Sequence, residues 1–280
     1  MREISAKKIA EAVQELCIEA GTILSQDVLN ALDQALAKEE SPAGREILRQ
    51  IIKNAVIARR TKLPLCQDCG LAVVFVELGQ EVNLVDGSLV EAINLGVSCG
   101  YQEGLLRKSV AGDPLVRKNT GDNTPAMIHL ESVPGENIRI RFMAKGGGAE
   151  NRSAIRMFKP TSTKTEIGKF IVETAEQAGP DACPPIIVGV GIGGNFENAP
   201  LLAKKALFRE IGKYNSESDT ALWEKELLDA INQSGIGPMG LGGRVTALAV
   251  NIEKYPCHIS SLPVAVNIEC HSHRVREIIL

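Results

Sequence analysis

Apolar positions recur at intervals of three and four through the first sixty residues, the signature of amphipathic helices. Ile4, Ile9, Val13, Leu16 and Cys17 fall on one face of a first helix, which predicts a core position for Cys17. Ser25 reads as the N-cap of a second, ahead of Val28, Leu29, Leu32 and Leu36. Ser41-Pro42 supplies an N-cap and first-turn pair for a third, carried by Ile47, Leu48, Ile51, Ile52, Val56 and Ile57 and ending near Arg59-Arg60. The period then changes. Leu71 to Leu78 is a continuous β-rich run that predicts a strand buried on both faces. Ser88 to Tyr101 returns to a helix, with Cys99 as a small core residue.

From Leu105 to Pro125 the chain is too polar and too rich in turn formers for a regular element. This loop carries Arg107, Lys108, Arg117 and Lys118, suited to a carboxylate or phosphate as well as to solvent. Met127 to Val133 and Ile138 to Ala144 alternate around Pro134-Gly135-Glu136-Asn137, which predicts a hairpin. The second strand runs into Lys145-Gly146-Gly147-Gly148, where bare backbone can come close to a ligand.

A helix over about Glu166 to Ala178 precedes Cys183, framed by Pro180, Pro184 and Pro185. The strand Ile186 to Val188 then enters Gly189-Val190-Gly191-Ile192-Gly193-Gly194, which satisfies G-x-G-x-x-G. A dinucleotide site wants an acidic residue closing the next strand, yet that position falls at Arg209-Glu210 inside a helical pattern. Close backbone approach to a different ligand fits better. Two helices, a glycine-dense loop from Gly235 to Gly243 and two β-rich segments, Thr246 to Glu253 and Val264 to Cys270, complete the chain.

The fold class is therefore α/β (mixed α+β), an N-terminal helical layer packed on a mixed sheet. One domain is expected over 1–280, mainly helical over 1–60 and mixed over 61–280, with the chemistry built from loops. A net charge of −3 and an aromatic share of 4% argue against nucleic acid or an anionic membrane as partner. No signal-peptide or spanning run is present, so the cytoplasm is expected. Seven cysteines without an export signal argue against a disulfide framework and leave metal binding or burial to account for them.

Pro64-Leu65-Cys66-Gln67-Asp68-Cys69-Gly70 packs two thiols, an amide and a carboxylate into one turn at a helix-to-strand junction. Spacing alone leaves a C-x-x-C redox pair or half a zinc knuckle open. Cys66, Cys183 and Cys270, however, all lie in loops or at strand ends and are far apart in sequence, unlike local zinc or ferredoxin motifs. Three such thiolates suggest a cluster where loops meet, with one iron lacking a protein ligand.

These residues, with Asn119-Thr120-Gly121-Asp122-Asn123, Lys145-Gly146-Gly147-Gly148, Gly235-Ile236-Gly237-Pro238 and Cys257-His258, resemble the iron–sulfur hydro-lyases of the class I fumarase and L-tartrate dehydratase type, specifically the α subunit or N-terminal domain. The resemblance covers most of the chain. It implies a [4Fe–4S] cluster on Cys66, Cys183 and Cys270, acting as a Lewis acid on the hydroxyl of a dicarboxylic 2-hydroxy acid. It implies acid–base work for Asp68, an active-site role for His258, and substrate contacts from Gln67, Arg107, Gly147 and Gly148. A core or capping role for His258 is the bland alternative.

The family more often has Thr where Cys69 stands, which puts a fourth thiol near the proposed ligands, and Cys257 adjoins His258. The implied activity is reversible hydration of fumarate to L-malate, with L-tartrate dehydration and an iron–sulfur redox sensor as alternatives. A base for the carbon-bound proton and further cations for a second carboxylate are missing. The resemblance assigns them to a separate β subunit, in an α2β2 assembly.

Overall fold

A computed structural model describes all 280 residues. In chain order the elements begin β1 (Arg2–Ser5), α1 (Ala6–Thr22), α2 (Gln26–Lys38), α3 (Pro42–Thr61), β2 (Leu71–Gly79), β3 (Val82–Val85) and α4 (Leu89–Glu103). There follow β4 (Met127–Val133), β5 (Ile138–Lys145), α5 (Gly147–Glu150), β6 (Ala154–Phe158), α6 (Lys164–Ala178) and β7 (Ile186–Gly193). The chain closes with α7 (Asn198–Ala206), α8 (Ser218–Asn232), β8 (Ala247–Tyr255), β9 (Leu262–Glu269) and β10 (Val275–Ile279). Helices and mixed sheets bear out the α/β expectation, and they divide between two compact units.

The first unit comprises Met1–Ser25, Asn54–Gly147 and Arg274–Leu280. Its sheet runs β10-β5-β2-β4. The predicted hairpin is not formed: β2 lies between β4 and β5, parallel to the first and antiparallel to the second. Alternation assigns each strand a face but not a neighbour. The mostly apolar β2 takes an inner position, and the Pro134–Asn137 turn bonds the end of β2 through Gly79 N–H to Asn137 O at 2.9 Å. A parallel β1–β3 pair, too short to be read from pattern, is the other sheet.

Ile9, Val13, Leu16 and Ala20 of α1 and Ile93, Val97 and Tyr101 of α4 share a core with Val74, Val76, Ile140 and Phe142 of the sheet. The two helices nearly touch, because a Cβ on Gly96 would stand 2.5 Å from Ala10 O. Cys17 is buried as expected, whereas Cys99 is only half-buried.

The second unit comprises Gln26–Lys53 and Gly148–His273, around a sheet of order β6-β9-β7-β8. Here too β8 and β9 flank β7 rather than each other, parallel and antiparallel respectively. Strict alternation in β7 explains the glycine motif. Ile186, Val188 and Val190 join the core beneath α6 and α8. A Cβ on Gly189 or Gly191 would stand 2.1 Å from Ala203 O or Ala199 O of α7. The strand thus continues through the motif to Gly193, and what comes close to the bare backbone is a helix instead of the expected ligand.

The Gly235–Gly243 loop has a similar structural use. Glu39, 1% exposed, accepts backbone N–H groups from Glu40 and Ser41 at 2.9 Å each and from Arg244 and Val245 at 2.9 Å each. Burial is the largest single influence and pushes this carboxyl up, but the four donors together outweigh it and hold it below the usual glutamate range. A side chain at Gly243 would meet the carboxylate oxygens at 2.7 Å.

Candidate active site

In the first unit, residues 62–70 link α3 to β2 without regular structure, so their backbone must be held from outside. Leu65 N–H donates to Gly21 O at 2.8 Å and Asn54 Nδ2 donates to Leu65 O at 2.8 Å. Tyr101 Oη, buried on α4, donates to Cys69 O at 2.7 Å, and Asn123 Nδ2 reaches Gly70 O at 3.3 Å. Asn123 also accepts Ser109 N–H at 2.6 Å, which joins the cationic 105–125 loop to the same turn.

The two thiols of this turn have opposite settings. Cys66 is half-buried, and its sulfur accepts Asp68 N–H at 3.4 Å. Cys69 is 3% exposed within the core, its thiol directed to Cys66 O at 3.4 Å. Burial pushes the Cys69 thiol up, offset only in part by the Arg107 backbone N–H on its sulfur and by the Arg274 charge. The same contact brings the base of the Arg107 residue to the turn, while the Arg107 side chain is exposed. Gln67 is also exposed, its Oε1 accepting from the Cys66 thiol at 3.4 Å.

Asp68 is fixed on both oxygens: Oδ1 accepts Gly70 N–H at 3.0 Å and Oδ2 accepts Gly147 N–H at 2.8 Å. The Gly147 N–H, expected to face the substrate, is therefore committed to Asp68. Sequence reasoning passed over Arg274, which is 1% exposed and donates from Nη1 to Asp68 O. A lone Arg after a His-rich run carries no periodic signal; only the β10–β5 pairing, Val275 opposite Met143, brings it back to this turn.

In the second unit, pairing of Ile187 with Glu269 sets Cys183, just ahead of β7, beside Cys270, just past β9. His271 ties them, with its Nδ1 2.9 Å from Cys183 O. Cys183 has a left-handed backbone at φ 53°, a conformation costing about 1–2 kcal/mol in a residue with a Cβ and common at functional sites. Cys270 Sγ lies 3.7 Å from Glu269 Oε1. None of the seven cysteines is in a disulfide.

His258 is not brought to this pair. Its turn joins β8 to β9 at the Gly193 end of β7, where Gly194 N–H donates to Pro256 O at 3.2 Å. The length of β7, about 23 Å at roughly 3.3 Å per residue, separates the two ends. The His258 ring caps its own turn, Nδ1 accepting Ser260 N–H at 3.1 Å. The structure thus favours the capping reading over a place beside Cys183 and Cys270, and the exposed Cys257 goes with it.

The sequence profile described as fumarate hydratase (Fumerase) matches residues 10–279. A Methanocaldococcus jannaschii protein provisionally named L(+)-tartrate dehydratase subunit alpha is 44% identical over 273 residues, covering 95% of each chain. The L(+)-tartrate dehydratase subunit alpha of Escherichia coli strain UTI89 is 30% identical, over 98% of this chain and 91% of its own length.

Proposed function

Since the chain belongs to the fumarate hydratase (Fumerase) family, we propose that it is the α subunit of an iron–sulfur hydro-lyase that hydrates fumarate reversibly to L-malate. The observation that carries this reading is the Asp68 carboxylate, gripped by two backbone N–H groups one turn from the Cys66 thiol. That is a pre-set proton acceptor beside a soft metal ligand.

Cys66, Cys183 and Cys270 would hold a [4Fe–4S] cluster. Their donor set fits: all three are cysteine sulfurs outside any disulfide, and the N–H on the Cys66 sulfur is of the kind that supports a cluster thiolate. When bound, the cluster would supply a Lewis-acidic iron that polarises the substrate hydroxyl.

The remaining work falls to the chain's own side chains. Asp68 takes up the proton of the attacking water in hydration and returns it in dehydration. Arg107 offers a planar fork to one carboxylate, Gln67 an amide and Gly148 a backbone N–H. His258, whose ring caps its own turn, is given no part in this assignment. A separate β subunit, in an α2β2 assembly, contributes the base for the carbon-bound proton and the grip on the second carboxylate. Seven cysteines without a disulfide suit a reducing compartment, and no helix is long and apolar enough to cross a membrane; the cytoplasm is the proposed setting.

The names of the relatives favour a second substrate, L-tartrate, for the same machinery. The test is anaerobic reconstitution with iron, sulfide and the β partner, assayed on both. Turnover of fumarate and L-malate supports the first reading and selective dehydration of L-tartrate the second. Turnover of none of the three overturns both.

A further inference from the structure

We propose that Arg274 is a positioning residue for this reaction: its buried guanidinium fixes the main chain of Asp68 and, against the bare α-carbon of Gly146, the attitude of the Asp68 carboxylate. The inference rests on the hydro-lyase reading above.

Arg274 is the largest fully buried side chain of the molecule. Taking a guanidinium out of water costs several kcal/mol unless its donors are satisfied, so its contacts define its use. Its own backbone is fixed by the sheet, with Ala144 N–H donating to Arg274 O at 3.0 Å and β10 in register with β5 from the next residue onward. From that anchor Nη1 reaches Asp68 O.

Gly146 explains the second contact. A Cβ there would stand 3.1 Å from Arg274 Nη2 and 3.3 Å from Asp68 Oδ2, so cation and carboxylate both lie against the same uncovered spot. Gly146 is buried and its φ is not in the left-handed region, so the glycine serves the space and not the backbone angle. The neighbouring Gly147 then delivers its N–H to Oδ2. Gly146-Gly147 thereby acquires a use in this unit: one glycine makes room for the arginine, and the next holds the carboxylate that the arginine sets.

The experiment uses the reconstituted αβ complex carrying Arg274→Met, Arg274→Lys or Gly146→Ala, with kcat, KM and iron per chain measured on each preparation. Displacing a reacting group by about 1 Å is expected to cost about 100-fold, so Arg274→Met should lose about that in kcat with KM within about threefold and iron unchanged. Arg274→Lys, which keeps the charge and one donor, should recover about tenfold of the loss. Gly146→Ala wedges the pair apart by tenths of an ångström and should lose about tenfold in kcat with iron intact. Should Arg274→Met fail to fold, Gly146→Ala decides alone.

A kcat within twofold of wild type in a folded, iron-replete variant overturns the inference, as does a kcat that falls only in proportion to iron. A wild-type complex inactive on fumarate, L-malate and L-tartrate overturns the hydro-lyase reading and this inference with it. An active wild type with indifferent variants overturns this inference alone.

Discussion

Gly147 N–H meets Asp68 Oδ2 at 2.8 Å across 79 positions of sequence, joining the two loops richest in candidate chemistry. Asn in place of Asp68 would bring an amide to two N–H donors and could satisfy only one of them through its single oxygen. Asp68→Asn is therefore expected to lower kcat by about 10²- to 10⁴-fold, the usual value of a positioned acid–base group, with iron per chain unchanged. A kcat within tenfold of wild type would remove Asp68 from proton transfer.

Cys69 is buried in the core of the first unit, so Cys69→Ala should leave iron content at the wild-type level. The loss of a small buried group predicts a destabilisation of about 1 kcal/mol, read from denaturant midpoints. A redox-sensor reading needs a fourth protein ligand, and disappearance of the cluster in this variant would favour it.

The Glu39 carboxylate titrates lower in the folded chain than its ordinary value of 4.5. Its contribution to stability is therefore fully present above about 4.5 and is lost as the pH falls through the lower folded value. Glu39→Gln should cost about 2–4 kcal/mol at neutral pH, because buried donors lose a charged acceptor. As the pH falls below about 4.5 the difference between variant and wild type should shrink. Equal acid sensitivity of the two proteins would show that the four N–H donors do not stabilise the ionised form.

Gly191→Ala places a methyl 2.1 Å from Ala199 O, a contact no backbone can accept without α7 lifting from the sheet. A loss of about 3 kcal/mol or more is expected in thermal unfolding. The apo chain should also show no saturable dinucleotide binding. Tight binding of a dinucleotide, abolished by the same substitution, would restore the ligand reading of the glycine motif.

Much of this was legible in the sequence. Helices α1 to α4 announce themselves through apolar stripes and caps such as Ser41-Pro42, and β2 through an unbroken β-rich run. What periodicity does not encode is adjacency: β4 and β5 alternate correctly yet are separated by β2, and β8 and β9 by β7. The site divides along the same line. Asp68 beside Cys66 is local and was readable, whereas Arg274 reaches its partner 206 positions away through sheet pairing. G-x-G-x-x-G misled because a helix packed on bare strand backbone imposes the same glycine spacing as a bound ligand. His258 was named by its motif alone, and only the strand register shows its turn at the other end of β7 from Cys183 and Cys270.

The central claim is that Cys66, Cys183 and Cys270 together hold the cluster, and iron and sulfide per chain after anaerobic reconstitution test it most directly. About four irons per wild-type chain are expected, with the cluster lost or collapsed in each of Cys66→Ser, Cys183→Ser and Cys270→Ser. A wild-type chain that takes up no iron, or a full cluster surviving all three substitutions, would contradict it.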